Sequence, residues 1–241
     1  MAADGAGVEI LFEDDAVIGL VKPAGLATAN APRGVPSLFT LLAARRPGAF
    51  LGVVSRLDQP VSGVVVLACS TAAAADLARQ FRDRTVAKTY LAVVEGRFPA
   101  ALGTWVEWVD HLPVAEEQGQ QDPRGQGWNR GPQGDGAEET VSREARLRAR
   151  VVRRAGEVSL VELCPITGRK HQLRVQLAMR KCPIVGDRRY GARLPFPSGI
   201  ALHALRLGFR HPLTGEPLSL AADPPAGWRQ RFPALLPFTA G

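Results

Sequence analysis

Histidine, cysteine, lysine and long apolar runs are all scarce in this chain of 241 residues. The three cysteines, Cys69, Cys164 and Cys182, are odd in number and show no Cys-x-x-Cys spacing, which excludes a disulfide framework and argues against zinc. They read as buried thiols of a reducing compartment. The four histidines, His111, His171, His203 and His211, have no metal-ligand spacing, and no His-Glu-x-x-His occurs. A phosphate-binding Gly-x-x-x-x-Gly-Lys loop and a Gly-x-Ser-x-Gly elbow are also missing, and the glycine cluster at 131–136 follows no strand and opens no helix. The longest apolar run, 64–69, is strand-sized, well short of the roughly 18 to 20 residues of a membrane span. Asp4, Glu9, Glu13, Asp14 and Asp15 precede the first arginine, the wrong chemistry for a secretory or mitochondrial leader, so a cytoplasmic protein without membrane contact is expected.

What is present is positive charge. Lys and Arg total 30 against 23 Asp and Glu, a formal charge of +7, and only four of the basic residues are lysine. Arginine's planar fork suits phosphate, so an acidic polymer such as RNA is one natural partner. Codon bias is the other explanation, because Arg, Ala, Gly and Pro are enriched together.

The apolar pattern implies an α+β chain. A hairpin is expected over 8–21 around the acidic turn Glu13-Asp14-Asp15, ended by Lys22-Pro23-Ala24-Gly25. Helices are predicted at 37–46, capped by Ser37, at 71–84, and at 169–180, capped by Thr167. Strands are predicted at 51–54, 63–69, 88–96, 104–109, 141–153, 157–164, 200–210 and 218–222. About nine strands, three helices and no regular βαβ alternation favour a mixed, mostly antiparallel sheet flanked by helices. Residues 111–139, rich in Gly, Gln, Pro and charge without a period, read as a long exposed loop.

Three stretches could carry chemistry. Asp58 follows Arg56-Leu57 at a strand end, where a neighbouring arginine would keep a nucleophilic or basic carboxylate ionised; it could equally be a turn-capping aspartate. The run Arg169-Lys170-His171-Gln172-Leu173-Arg174 would place Lys170 and Arg174 on one helix face, suited to RNA phosphate or a buried carboxylate, or simply solvated. Leu173 and Leu177 hint that part of this face turns inward, and an arginine held there would need an anion. Tyr90, on a strand, is either core or a ring that stacks on a base.

In order and spacing these stretches belong to a larger set. It comprises Lys22-Pro23-Ala24-Gly25, Arg56-Leu57-Asp58 with Ser62-Gly63, Lys88-Thr89-Tyr90 with Gly96, and Thr167-Gly168-Arg169 with His171-Gln172-Leu173-Arg174. Gly186-Asp187 with Tyr190-Gly191, and Leu202-His203-Ala204 with His211-Pro212 and Gly215-Glu216, complete it. The set resembles the RluA family of RNA pseudouridine synthases over about residues 8–224.

The resemblance implies the pseudouridine synthase fold, with an active-site cleft across the sheet, and a cofactor-free isomerase converting uridine to pseudouridine in structured rRNA or tRNA. It places the catalytic aspartate on Asp58, a tyrosine packed against the flipped base on Tyr90, the aspartate's arginine partner on Arg174, and the arginine that fills the space left by the base on Arg56. Arg169 and Lys170 are expected beside them as RNA contacts, with no metal site and a monomeric enzyme. Gly186-Asp187 and Tyr190-Gly191 read as turn and packing elements, and His203 as a core histidine. The chain departs from the family pattern at Ser55, where a histidine is usual, at Gln59-Pro60-Val61, and at Val21 in place of asparagine. Those departures keep open a catalytically inactive RNA-binding protein on the same scaffold. The expected organisation is a disordered 1–7, a catalytic domain over 8–225 without a preceding S4 domain, and a tail over 226–241.

Overall fold

The computed structural model describes residues 8–113 and 142–236. Chain order runs β1 (Glu9–Glu13), β2 (Val17–Lys22), α1 (Leu38–Arg45), β3 (Gly52–Val53), β4 (Ser62–Ala68), α2 (Thr71–Arg82), β5 (Ala87–Glu95) and β6 (Trp105–Pro113). It continues with β7 (Ser142–Ala155), β8 (Val158–Pro165), α3 (Gln172–Met179), a 3-10 turn (Arg188–Tyr190), β9 (Leu202–Arg210), β10 (Pro217–Ala221) and α4 (Ala226–Arg231).

Ten strands form one sheet in the order β1-β2-β4-β9-β5-β8-β7-β6, with β3 against β4 and β10 against β9. All pairings are antiparallel except β4–β9, a parallel seam of only two residue pairs, Ser62 with His203 and Gly63 with Ala204. Gly63 is obligatory there: it sits at φ +120°, and a Cβ would lie 2.3 Å from the Ala204 carbonyl oxygen.

The apolar run that announced β4 is continuous because the strand is covered on both faces. Val64, Val66 and Ala68 pack with Ala73 and Leu77 of α2, while Val65 and Leu67 pack with Leu38 and Leu42 of α1. Both helices begin where their caps predict. Ser37 and Thr40 form a reciprocal capping box on α1, and the Ser70 hydroxyl accepts from the Ala73 amide on α2.

Three expectations are corrected. The third helix begins at Gln172, not at 169, and Thr167 does not cap it. The Thr167 hydroxyl accepts from the Arg146 amide at 2.9 Å and donates to Gln172 Oε1 at 2.7 Å, tying the approach to β7 instead. Residues 111–113 extend β6 rather than opening a loop, while 114–139 and 1–7 lie outside the described residues. The segment expected as a tail from 226 folds back: α4 and the turn after it bury Trp228, Phe232 and Leu235 in the largest core cluster. Their i, i+4, i+7 spacing is helical, a signal masked in the sequence by Pro224, Pro225, Gly227 and Pro233.

Candidate active site

Asp58 stands on a loop that has no sheet partners, so its backbone must be satisfied by other means. Side chains supply them. The Ser55 hydroxyl donates to the Val66 carbonyl at 3.1 Å and accepts from the Val66 amide at 3.2 Å. The Thr28 hydroxyl does the same for Leu57, donating to its carbonyl at 3.0 Å and accepting from its amide at 3.1 Å. Lys22, with no accessible surface, donates from Nζ to the carbonyls of Pro23, Leu26 and Gln59 at 2.8, 2.6 and 3.2 Å. Burial pushes this ammonium down to about 8, against the pull of the Asp58 carboxylate. The Asp58 carbonyl accepts from Val61, and Leu57 packs into two core clusters. Ser55 therefore has a definite job: it stitches the loop to β4.

The Asp58 carboxylate is 30% exposed and receives Arg174 Nη1 on Oδ2 at 3.1 Å. Arg174 projects from α3, a helix buried from Gln172 through Leu177 and anchored by Gln176 and Arg180, which both bond Asp110 of β6. Its remaining nitrogens are taken by Asp187, with Nε to Oδ2 at 2.7 Å and Nη2 to Oδ1 at 2.9 Å. Burial disfavours the guanidinium cation, but Asp187 and then Asp58 reverse that and hold its pKa above the ordinary arginine value. Tyr90, on β5 beside Ala204 of β9, is half-buried; burial and the Asp58 charge push its phenol up to about 12, so it stays protonated. His171, at the head of α3, places Nε2 3.6 Å from Asp58 Oδ2 and Nδ1 2.8 Å from the Tyr190 hydroxyl.

The fold thus joins Asp58 and Arg174 directly and places Tyr90 within electrostatic reach of the aspartate. Arg56 is exposed on the same loop, two residues before the aspartate, and Lys170 is exposed just ahead of α3, not on it. Arg169 is partly committed elsewhere, donating from Nε to the Glu144 carbonyl at 3.0 Å. Sequence reading missed Asp187, Lys22, Thr28 and the His171–Tyr190 pair. A buried arginine needs an anion for each exposed edge of its fork, so the second acid could have been sought in the Gly186-Asp187 turn. Gly186 does serve that turn, at φ +87° and with Phe196 Cβ 2.6 Å from where its own Cβ would stand.

Elsewhere, His203 is a core residue: Nδ1 accepts from Ser62 Oγ at 2.8 Å and Nε2 donates to the Ala222 carbonyl at 3.0 Å. Among the described residues no three histidines, cysteines or carboxylates converge. A concavity of about 830 Å³ between α2 and the β9–β10 turn is lined by Gln80, Phe209, His211 and Leu218 and includes none of the residues around Asp58. A carboxylate that is 30% exposed remains accessible to a group presented by a substrate.

The family profile described as RNA pseudouridylate synthase matches residues 16–179. A ribosomal large subunit pseudouridine synthase D of Xanthomonas campestris is 34% identical over 95% of this chain and 69% of its own length. The dual-specificity RNA pseudouridine synthase RluA of Pasteurella multocida is 33% identical over 90% of this chain and 93% of its own. Several other ribosomal-subunit relatives are spanned over only 64 to 65% of their length. Among solved structures, human RNA pseudouridylate synthase domain containing 4 superposes with a TM-score of 0.70 at 26% identity, covering 94% of this chain and 92% of that one.

Proposed function

Because the chain belongs to the RNA pseudouridylate synthase family, within its RluA branch, we propose that it converts uridine to pseudouridine in structured rRNA or tRNA. The observation that carries the reading is the Asp58 carboxylate, open to solvent yet held by a buried arginine, next to a tyrosine that keeps its proton. A carboxylate facing an RNA surface repels phosphate, so binding alone gives no reason to build one there.

In this reading the target nucleotide leaves its stack, at a cost of a few kcal/mol, and enters the space between Asp58 and Tyr90. Arg56 fills the vacated place, and Lys170 contacts the phosphate backbone. Asp58, paired with Arg174, attacks the nucleotide as the uracil N1–ribose bond breaks. The base turns, C5 bonds to the ribose as the bond from Asp58 to the nucleotide breaks and the carboxylate is regenerated, and the C5 proton is lost while N1 gains one, so the product is an isomer. Tyr90 packs on the base as a neutral phenol. The reaction consumes no second substrate, and the enzyme acts as a cytoplasmic monomer without a cofactor.

RNA labelled with tritium at uracil C5 tests this directly. The wild-type protein is expected to release label to water, and Asp58→Asn to release none while binding RNA as tightly. Absence of release from every RNA class by the wild type, with binding intact, overturns the proposal.

A further inference from the structure

Both donors near Asp58 face the same oxygen. Arg174 Nη1 lies 3.1 Å and His171 Nε2 3.6 Å from Oδ2, whereas among the described residues no hydrogen bond reaches Oδ1. His171 is held in an unusual way: it occupies the left-handed region at φ +54°, and its side chain caps nothing on the helix it opens. A β-carbon residue in that region is costly and persists where the surroundings over-determine it. Here the surroundings are specific. Nδ1 meets the Tyr190 hydroxyl at 2.8 Å, the two rings meet edge to face at 5.9 Å, and Tyr190 lies under the Arg174 guanidinium at 4.9 Å.

The protonation pattern follows from these partners. Were Nδ1 to carry the ring proton, the Nε2 lone pair would point at a carboxylate, which is repulsive; with the Tyr190 hydroxyl donating to Nδ1, Nε2–H faces Asp58 instead. The charged groups around the ring are Asp58 on the loop, Arg174 on α3, Arg189 and Asp187 at the 3-10 turn, and Lys170 preceding the helix. Burial, then Arg174, Arg189 and Lys170, outweigh the pull of Asp58 and lower the imidazole pKa below its ordinary value, while burial raises the Tyr190 phenol. The neutral ring is the stable form at pH 7. The 3.6 Å separation is longer than a hydrogen bond, and contacts of this kind tighten when substrate closes a site.

We propose that His171 is a positioning residue which, as the Nε2–H tautomer fixed by Tyr190, shares Asp58 Oδ2 with Arg174 and leaves Oδ1 as the oxygen presented to the target nucleotide. The role rests on Asp58 being the attacking group, but the tautomer does not, and that separates the two readings experimentally.

Nitrogen-15 NMR of the labelled full chain is expected to show His171 with Nδ1 bare and Nε2 protonated at pH 7. Tyr190→Phe is expected to mix the tautomers. An Nδ1–H ring, or an imidazolium at pH 7, overturns the proposal whatever the activity. In single-turnover tritium release, His171→Gln keeps an N–H donor and is expected within about threefold of wild type, whereas His171→Leu falls roughly 10- to 100-fold, the worth of a hydrogen bond to a charged group. RNA affinity is expected to be unchanged in both. Equal losses in the two variants, or a loss carried by weaker RNA binding, also overturn it. If the leucine variant does not fold, His171→Asn replaces it, since asparagine tolerates the left-handed backbone but is too short to reach Asp58. A wild type with the expected tautomer but no release on any RNA refutes the isomerase reading instead.

Discussion

Arg174 is one cation between two carboxylates of different standing. Asp187 is 2% exposed by side chain and binds the guanidinium through two nitrogens; Asp58 is 30% exposed and takes one. Removing one partner of a buried pair leaves an uncompensated charge, so Asp187→Asn is expected to lower unfolding free energy by about 3 to 5 kcal/mol in urea titrations. Asp58→Asn, at a solvated position, is expected to change it by less than about 1 kcal/mol. The order is expected to reverse in tritium release, with Asp58→Asn losing all activity. A larger stability loss at Asp58 than at Asp187 would show that the arginine belongs chiefly to the aspartate of the loop. Asp58 and Arg174 were legible as motif residues because their types and spacing are distinctive. Asp187 was not, because Gly-Asp before a turn has a sufficient local explanation, and only the depth of the arginine's burial reveals that one acid is too few.

Between elements, β4 and β9 meet in a short parallel seam immediately after the Asp58 loop. Two residue pairs join the strands, and the Ser62–His203–Ala222 hydrogen bonds reinforce them. Burial, opposed by the Ala222 carbonyl and Asp223, depresses His203 to about 4. Its folded pKa lies below the ordinary 6.5, so the stability gained by keeping it neutral is fully present above pH 6.5 and lost as pH falls from there through 4. Integrated over that window the group contributes about 3 kcal/mol. Urea unfolding between pH 7 and 4 is expected to show a steeper stability loss for wild type than for His203→Gln, and parallel curves would remove His203 from the account. Strands and two helices were readable from period and caps. The start of α3 was misplaced because Thr167 looks like a cap while the left-handed His171 backbone, invisible in a sequence, sets the true boundary.

Over the whole molecule the charge of +7 is the first hint of RNA, and by itself an ambiguous one. The structure sorts the basic residues by availability. Arg174 is enclosed by acids, Arg150 is bonded to Glu162, and Arg180 to Asp110 with its guanidinium 3.9 Å from the Trp108 ring, so these hold the protein together. Arg56 and Lys170 stand exposed near Asp58. If each meets a phosphate, neutral variants are expected to flatten the slope of log Kd for a structured RNA against log salt by about 0.7 to 0.9 apiece. Arg169→Ala is expected to act more on stability, through the lost bond to Glu144. An unchanged slope in Arg56→Ala and Lys170→Ala would place the RNA elsewhere.

The sequence by itself determined the α+β class and most strand and helix positions, since periodicity and caps are local and survive in one dimension, and its motif resemblance singled out Asp58, Tyr90 and Arg174 as candidates. Tertiary structure alone decided which basic residues are structural and which are free, that residues from 226 onward return to the core, and that Asp187, Lys22 and His171 support the aspartate. The physical reason is burial. A charge changes its meaning when water is removed and a partner must be found, and partners separated by more than a hundred residues, such as Asp58 and Arg174, meet only in the fold.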